Sequence, residues 1–395
     1  MSRARLAIVA SHVIQYQAPF FRRLAAERDI DLTVVYCSPA GAELAHDREM
    51  STTMQWDVDL MSGYRSVVLH NLSRDLSGGF FRLMNPGVVP HLVRERYDAV
   101  ILMLGWGSVT ALLAATTCWF TRTPFFFYGD SSFPPPETGV RSRVRTGLLR
   151  ALFALTTGFM TSGVLNAEYY AHYGADPRTF FLLPWAVDNE RFESESRFEP
   201  GERDAMRARY GITPGQCVLL YSAKLLPRKD PMTLLRAYER MRERKRAVVV
   251  FLGEGMLRGE LEAYAREHHL DDGVRFLGFV NQRELPKHYA MSDVFVLPSL
   301  YEPRGAVINE AMACGLPVVV TDRCGSIGDI VQPDDNAFVY PAGDATALAG
   351  YLDRLAADDT LRASMAQRSR AIIRDWSYER GVDGVKAMLR WIGSR

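Results

Sequence analysis

The stretch Glu302-Pro303-Arg304-Gly305-Ala306-Val307-Ile308-Asn309-Glu310 sets two carboxylates on either side of a glycine that opens a helical pattern. An apolar run, Val294–Pro298, leads into it, so Glu302 falls on a loop past a strand tip and Glu310 on the following helix. In the first turn of such a helix the amides of Gly305, Ala306 and Val307 have no intrahelical acceptor, and the helix dipole helps them hold an anion. A carboxylate beside an anion site repels the anion, unless the same ligand carries hydroxyls that the carboxylate can accept from. A nucleotide sugar offers both groups. The same residues also suit a capped helix with Glu310 on its first turns, and spacing alone leaves the two readings open.

A second constellation is Tyr221-Ser222-Ala223-Lys224-Leu225-Leu226-Pro227-Arg228-Lys229-Asp230-Pro231. Lys224 and Lys229 flank a strand-to-helix loop, where two ammonium groups can neutralise a diphosphate and stabilise it as a leaving group. A solvated basic loop before a helix with Pro231 at its first position is the plain alternative. Gly253-Glu254-Gly255 lacks the third glycine of a dinucleotide fingerprint, since Arg258 stands there, and reads as a tight turn. In the first half, Ser11–Pro19 follows the first apolar run. His12 and Gln15 there, and Asp130 after Pro124–Tyr128, are candidates to contact a second substrate, or equally to cap local backbone. Arg141, Arg143, Arg145 and Arg150, followed by or interleaved with Leu148, Leu149, Leu152 and Phe153, form a basic amphipathic segment. It suits an anionic membrane surface, or an ordinary helix with an arginine-rich solvent face.

These residues need a scaffold. Short apolar runs without alternation recur at Leu6–Ala10, Leu32–Tyr36, Ala99–Leu104, Pro124–Tyr128 and Gly158–Thr161. The pattern restarts at Val218–Ser222, Ala247–Leu252, Val274–Leu277, Val294–Pro298 and Val318–Thr321, with Phe338–Tyr340 as a short edge element. Strands buried on both faces and alternating with helical segments indicate parallel sheets in two doubly wound α/β domains. The expected division is an N-terminal Rossmann-like domain over 1–188, a polar linker over 189–203, a second Rossmann-like domain over 204–375, and a C-terminal helix over 376–395. Facing domains of this kind enclose a cleft suited to a ligand.

Composition narrows the class. A chain of 395 residues with net charge +1 offers no bulk electrostatic case for nucleic acid. Its five cysteines are odd in number and lack C-x-x-C spacing, which argues against a disulfide framework or zinc site and fits a reducing cytoplasm. Arg3 and Arg5 before Leu6–Ala10 loosely imitate a signal peptide, but the apolar run is short and reads as a buried first strand. No stretch is apolar and long enough to span a bilayer.

Taken in order, the second-half motifs resemble the retaining glycosyltransferases of family 4, glycosyl transferases group 1, which have the GT-B fold. The resemblance runs from about Val218 to Val339. It rests on Lys229, Gly253-Glu254-Gly255, Phe276-Leu277-Gly278-Phe279-Val280, Ser292–Ser299, the paired glutamates, and Glu310-Ala311-Met312-Ala313-Cys314-Gly315-Leu316-Pro317-Val318. It implies that Glu302 binds hydroxyls of a donor sugar and that the amides of Gly305, Ala306 and Val307 meet the diphosphate. Glu310 would hold the ribose, Lys224 and Lys229 the diphosphate, and Phe279 and Val280 would lie by the base. The implied donor is a nucleoside-diphosphate sugar, UDP ahead of GDP, with no metal or other cofactor. The implied acceptor is a glycan, a lipid-linked saccharide or a small molecule, as in polysaccharide biosynthesis. A nucleotide-sugar epimerase of the same fold and a non-catalytic partner subunit are the alternatives. Some positions depart from the family. Lys224 replaces a usual arginine, Arg304 a usual phenylalanine and Trp185 a usual asparagine, while His12–Pro19 replaces a glycine-rich first loop. Arg304 is thereby a donor-side candidate that could pair with phosphate, an acidic sugar or Glu302.

Overall fold

The computed structural model describes residues 3–43, 45–47, 52–73, 79–133 and 139–394. Among the described residues fifteen strands follow in chain order: β1 (Ala4–Ala10), β2 (Ile30–Tyr36), β3 (Ala45–Asp47), β4 (Thr52–Met54), β5 (Arg65–Val68), β6 (Ala99–Met103), β7 (Phe125–Tyr128) and β8 (Gly158–Thr161). The rest are β9 (Phe180–Leu182), β10 (Cys217–Ser222), β11 (Ala247–Leu252), β12 (Val274–Gly278), β13 (Val294–Leu297), β14 (Val318–Thr321) and β15 (Ala337–Tyr340). The chain divides into two compact units. The first comprises Met1–Leu44, Asp59–Trp185 and Tyr378–Arg395; the second comprises Ala45–Val58 and Ala186–Ser377.

In the first unit seven parallel strands run in the order β5-β2-β1-β6-β7-β8-β9. The second holds six parallel strands in the order β12-β11-β10-β13-β14-β15. Continuous burial of Leu6–Ala10, and of every residue of β10 and β11, explains why these strands read as unbroken apolar runs. Helices cover both faces of such sheets. Strand order reverses between β1 and β6 and again between β10 and β13, and at these switch points the loops leaving the carboxyl ends splay apart to leave a crevice.

Some boundaries differ from those expected. The stretch 189–203, expected as a linker, contains the helix Asn189–Glu195 and the start of the helix Glu202–Arg209. Asp188 caps the first of these by accepting from the Arg191 amide, and Phe192 is buried. Arg203 and Arg207 both pair with Asp293, at 2.8 Å each. Polar composition misled here because the charges are spent on capping and on anchoring the segment to the second unit. Strand β5 and the antiparallel hairpin β3–β4 are mostly polar, and β9, although wholly apolar, is only three residues long, so none of them gave a sequence signal.

The last helix, Tyr378–Gly393, belongs to the first unit, whereas Trp376 stays with the second. The helix lies against Ala18–Ala25 and β9 with little clearance. A Cβ at Gly384 would stand 1.7 Å from the Leu182 carbonyl oxygen, and one at Gly381 would meet Leu183 and Phe20 at 3.0 Å. No helix among the described residues is long and apolar enough to cross a membrane.

Candidate functional site

The second unit brings the two constellations together at its switch point. After β10 the chain turns through the short helix Pro227–Lys229, and after β13 it passes Ser299 and Leu300 to Glu302. The Leu300 amide donates to the Arg228 carbonyl at 3.0 Å, fastening one loop to the other. Lys229 and Glu302 form an ion pair, with Lys229 9% and Glu302 5% exposed. The Ser299 hydroxyl lies 3.4 Å from the same carboxylate oxygen. Glu302 is fixed from behind by the loop after β14: its amide donates to Arg323 O, and its carbonyl accepts from the Gly325 amide. Asp230, in the left-handed region at φ 43°, caps the helix Pro231–Arg240 and accepts from the Thr233 hydroxyl at 2.6 Å. Pro231 occupies the first helical position, where a missing amide costs nothing.

Lys224 is half-buried on the same loop. The Gly253-Glu254-Gly255 turn explains how its backbone is held. A Cβ at Gly253 would sit 2.1 Å from Ala223 O, and one at Gly255 would sit 2.4 Å from Leu225 O. The Leu225 amide donates to Glu254 O at 2.9 Å. These glycines allow two loops to touch backbone to backbone, which is why the third glycine of a dinucleotide turn has no role here.

Gly305 caps the helix Ala306–Ala313 at φ 70°, with Ile308 Cδ1 and Glu302 Cγ 3.0 and 3.1 Å from where a Cβ would stand. The amides of Gly305, Ala306 and Val307 therefore begin the helix directly beside Glu302, at its dipole-positive end. One turn on, Glu310 is buried and accepts from the Tyr289 hydroxyl at 2.8 Å. Burial pushes its carboxyl up to about 7, against opposing effects of the Tyr289 hydrogen bond and the Arg191 charge. Tyr289 gave no sequence signal as a site residue, because it lies within the short helix Leu285–Ala290, away from any strand-end loop.

Arg304, the remaining donor-side candidate, is held by partners within the protein. It is 2% exposed, pairs with Asp329 at 2.9 Å and donates to Gly325 O at 2.7 Å. Its guanidinium ties the Glu302 loop to the loop after β14, and its partner lies 25 residues onward, beyond any local pattern. Phe279 and Val280 line a depression of about 410 Å3, together with Tyr210, Leu277, Arg283 and His288 among others. That lining includes none of Lys224, Lys229, Glu302 and Glu310. Trp56, which sequence reading missed, packs its ring 6.0 Å from that of Phe279, while Asn281 donates to Gln55 O at 2.8 Å. Both contacts come from the segment Ala45–Val58, whose place in the second unit no sequence pattern announces.

In the first unit, His12 and Gln15 are half-buried after β1, and His12 Nδ1 lies 2.9 Å from the Ser11 hydroxyl. Asp130 is exposed after β7, and β6 separates the two strands. Trp185 stacks on Tyr128 at 5.9 Å and packs against Tyr16 at 5.5 Å. The triple proline that would follow an Asp130 turn lies outside the described residues. All five cysteines are free and buried, and burial pushes the Cys324 thiol up to about 12, so it is a poor nucleophile. Among the described residues no cluster of three or more His, Cys, Asp or Glu side chains could hold a metal ion.

Residues 202–372 match the sequence model of the family described as glycosyl transferases group 1. This segment is a group 1 glycosyltransferase domain. The D-inositol 3-phosphate glycosyltransferase of Geodermatophilus obscurus is 35% identical over 234 residues, 55% of this chain and 48% of that protein. The N-acetyl-alpha-D-glucosaminyl L-malate synthase of Bacillus anthracis is 29% identical over 165 residues, 42% of each chain. The chain thus spans about half the length of the curated relatives it matches. Among solved structures, Anabaena HepE in complex with UDP and glucose superposes with TM-score 0.74 at 16% identity, covering 98% of this chain and 100% of that one. Sucrose-phosphate synthase from Thermosynechococcus elongatus does so with TM-score 0.72 at 18% identity, covering 99% and 100%. The fold is GT-B, with the group 1 domain carrying Lys229, Glu302, Gly305 and Glu310.

Proposed function

We propose that this chain is a retaining glycosyltransferase, moving a sugar from a nucleoside-diphosphate sugar to a hydroxyl of a glycan, a lipid-linked saccharide or a small-molecule acceptor. The observation that carries the reading is the buried Lys229–Glu302 pair beside the first turn of the Gly305 helix, at the sheet's switch point. A lone buried ion pair contributes little net stability, so its placement suits a site that awaits a ligand. On donor binding, Lys229 turns from Glu302 to the diphosphate, and Glu302 accepts from sugar hydroxyls instead. Lys224 and the amides of Gly305, Ala306 and Val307 complete the anion site. Glu310 accepts from the ribose hydroxyls, and Phe279 and Val280 border the base.

The anomeric carbon–oxygen bond to the diphosphate breaks as the acceptor oxygen bonds on the same face, and the leaving phosphate oxygen takes the acceptor's proton. Positive charge and amides around that phosphate lower the barrier, with no metal required. UDP is the expected nucleotide, in line with the UDP in the Anabaena structure. His12, Gln15 and Asp130 are proposed to face the acceptor. Buried free thiols fit a cytoplasmic setting, and the arginine segment suits peripheral contact with a membrane.

A thermal-shift screen with UDP and GDP, followed by hydrolysis assays over a set of nucleotide sugars, tests the reading. Stabilisation by UDP and slow release of UDP from one donor sugar support it. No response to any nucleotide overturns it, and turnover of donor to an isomeric nucleotide sugar without transfer indicates an epimerase.

A further inference from the structure

Exposed large apolar side chains are unevenly placed. Among the described residues only Met256, Leu300 and Tyr301 of them lie in the second unit. In the first unit they concentrate on two helices, Val109–Thr121 and Gly139–Leu155, which follow the neighbouring strands β6 and β7. Both helices feed one core on one face of the sheet, through Ala111, Ala114, Ala115 and Cys118 in the first, and Leu149 and Phe153 in the second. Each also carries a second apolar surface pointing away from that core.

On Gly139–Leu155 the outer ridge is Val140, Val144, Leu148 and Leu155, exposed by 77%, 56%, 63% and 48%. At 100° per residue these four fall within one narrow arc, opposite Leu149 and Phe153. The helix contains four arginines and no acidic residue. Arg143 and Arg150 are exposed along a flank of the ridge, and no ion pair among the described residues uses either. The helix Val109–Thr121 contains no charged residue at all and ends in Trp119 and Phe120, exposed by 52% and 76% with ring centroids 4.9 Å apart. Two aromatic rings shown to solvent next to the exposed capping Arg122, on the same side of the sheet as a ridge flanked by arginine, have the composition of an interfacial surface.

We infer that this face of the first unit docks on an anionic lipid bilayer, with Val140, Val144, Leu148, Leu155, Trp119 and Phe120 entering the headgroup boundary and Arg143 and Arg150 holding lipid phosphates. The inference deepens the membrane contact suggested by the arginine segment: charge gives attraction, while the ridge fixes which face meets the lipid. Charge selects the occupant, because in a two-fold contact between copies of this chain the arginines would face each other and repel.

The test is flotation of the full-length chain with vesicles of equal phosphatidylglycerol and phosphatidylcholine, against vesicles of phosphatidylcholine alone. Wild type is expected to float with the anionic vesicles and scarcely with the neutral ones. Arg143→Glu/Arg150→Glu should lower binding at least tenfold at low salt, since each surface arginine is worth roughly fivefold. Val144→Glu/Leu148→Glu should abolish binding at every salt concentration. All four positions are exposed, so both variants should keep wild-type melting temperature and UDP response. Failure of the wild type to float, or undiminished binding by either variant, overturns the inference. Sedimentation showing a wild-type dimer that Leu148→Glu splits would also overturn it by assigning the ridge to a second copy. Since flotation is read without nucleotide, a chain that floats yet ignores UDP would fail the transferase proposal alone.

Discussion

Replacing Lys229 by methionine strikes the one pair on which the proposed chemistry turns. The substitution keeps the aliphatic length but leaves the Glu302 carboxylate 5% exposed, with only the Ser299 hydroxyl at 3.4 Å in place of the ammonium. Removing one partner of a buried ion pair typically costs 3–5 kcal/mol, because the remaining charge has lost its compensation. For a unit of this size each kcal/mol moves the melting temperature by about 2–4 °C, so the variant should melt roughly 6–20 °C below wild type. The double variant Lys229→Met/Glu302→Gln removes both charges and should recover most of that loss, giving a coupling energy of a few kcal/mol in a double-mutant cycle. Nucleotide separates the roles. Saturating UDP should raise the wild-type melting temperature, and Lys229→Met should lose most of that rise. Glu302→Gln, with the lysine released from its carboxylate, should bind UDP at least as tightly as wild type while losing transfer. Differential scanning fluorimetry with and without UDP reads all of these. A Lys229→Met protein melting within 2 °C of wild type, or additive single losses in the double variant, would refute the reasoning. Activity losses in Lys229 variants must accordingly be read below the lowered melting temperature, where the chain is folded.

Other expectations are shorter. Glu310, with its carboxyl raised to about 7 against an ordinary value of 4.5, is protonated in the fold where the unfolded chain is ionised. Stability should therefore fall as pH rises from about 4.5 through 7, by about 3 kcal/mol, and stay level above that. Denaturant titrations should show this slope flattened in Glu310→Gln. If the ribose donates to this carboxylate, UDP should also bind wild type more tightly at pH 8 than at pH 6, by more than it does in Glu310→Gln. Gly305→Ala, forced at φ 70° against Ile308 and Glu302, should cost about 1–2 kcal/mol and weaken UDP binding in calorimetry, because the first turn must shift. Arg304→Met, removing the buried ion pair with Asp329, should lower the melting temperature, yet leave kcat/KM near wild type at temperatures where the protein is folded; a large fall in kcat/KM would point to a donor contact. Dialysis against EDTA should leave transfer unchanged.

The sheets were legible because their strands are buried on both faces: Ala247–Leu252 and Val318–Thr321 read off the sequence as they stand in the structure. The edge strands β5 and β9 of the first sheet were not, since each needs only a few residues and a neighbour's backbone to form. Residue types at strand ends pointed to Lys229, Glu302, Gly305 and Glu310, because a loop at a carboxyl edge followed by a glycine-capped helix is a local pattern. The partners of those residues were not local. Asp329 for Arg304, Tyr289 for Glu310 and Trp56 beside Phe279 are set by segments that converge only after folding. Arg304 illustrates the gap: the sequence sets a charged residue beside a site motif but does not reveal the buried counter-ion that holds it.

The return of Tyr378–Gly393 to the first unit also bears on how the chain is made. At 5–20 residues per second, the 192 residues that separate Trp185 from Tyr378 take about 10–40 s to emerge from the ribosome. Through that interval β9 and the helix Ala18–Ala25 lack the surface that Gly381 and Gly384 press against them. The second unit has the whole of its chain available earlier, so the half synthesised later is the first that can be completed. Trimming the carboxyl end would then injure the beginning of the protein rather than its end.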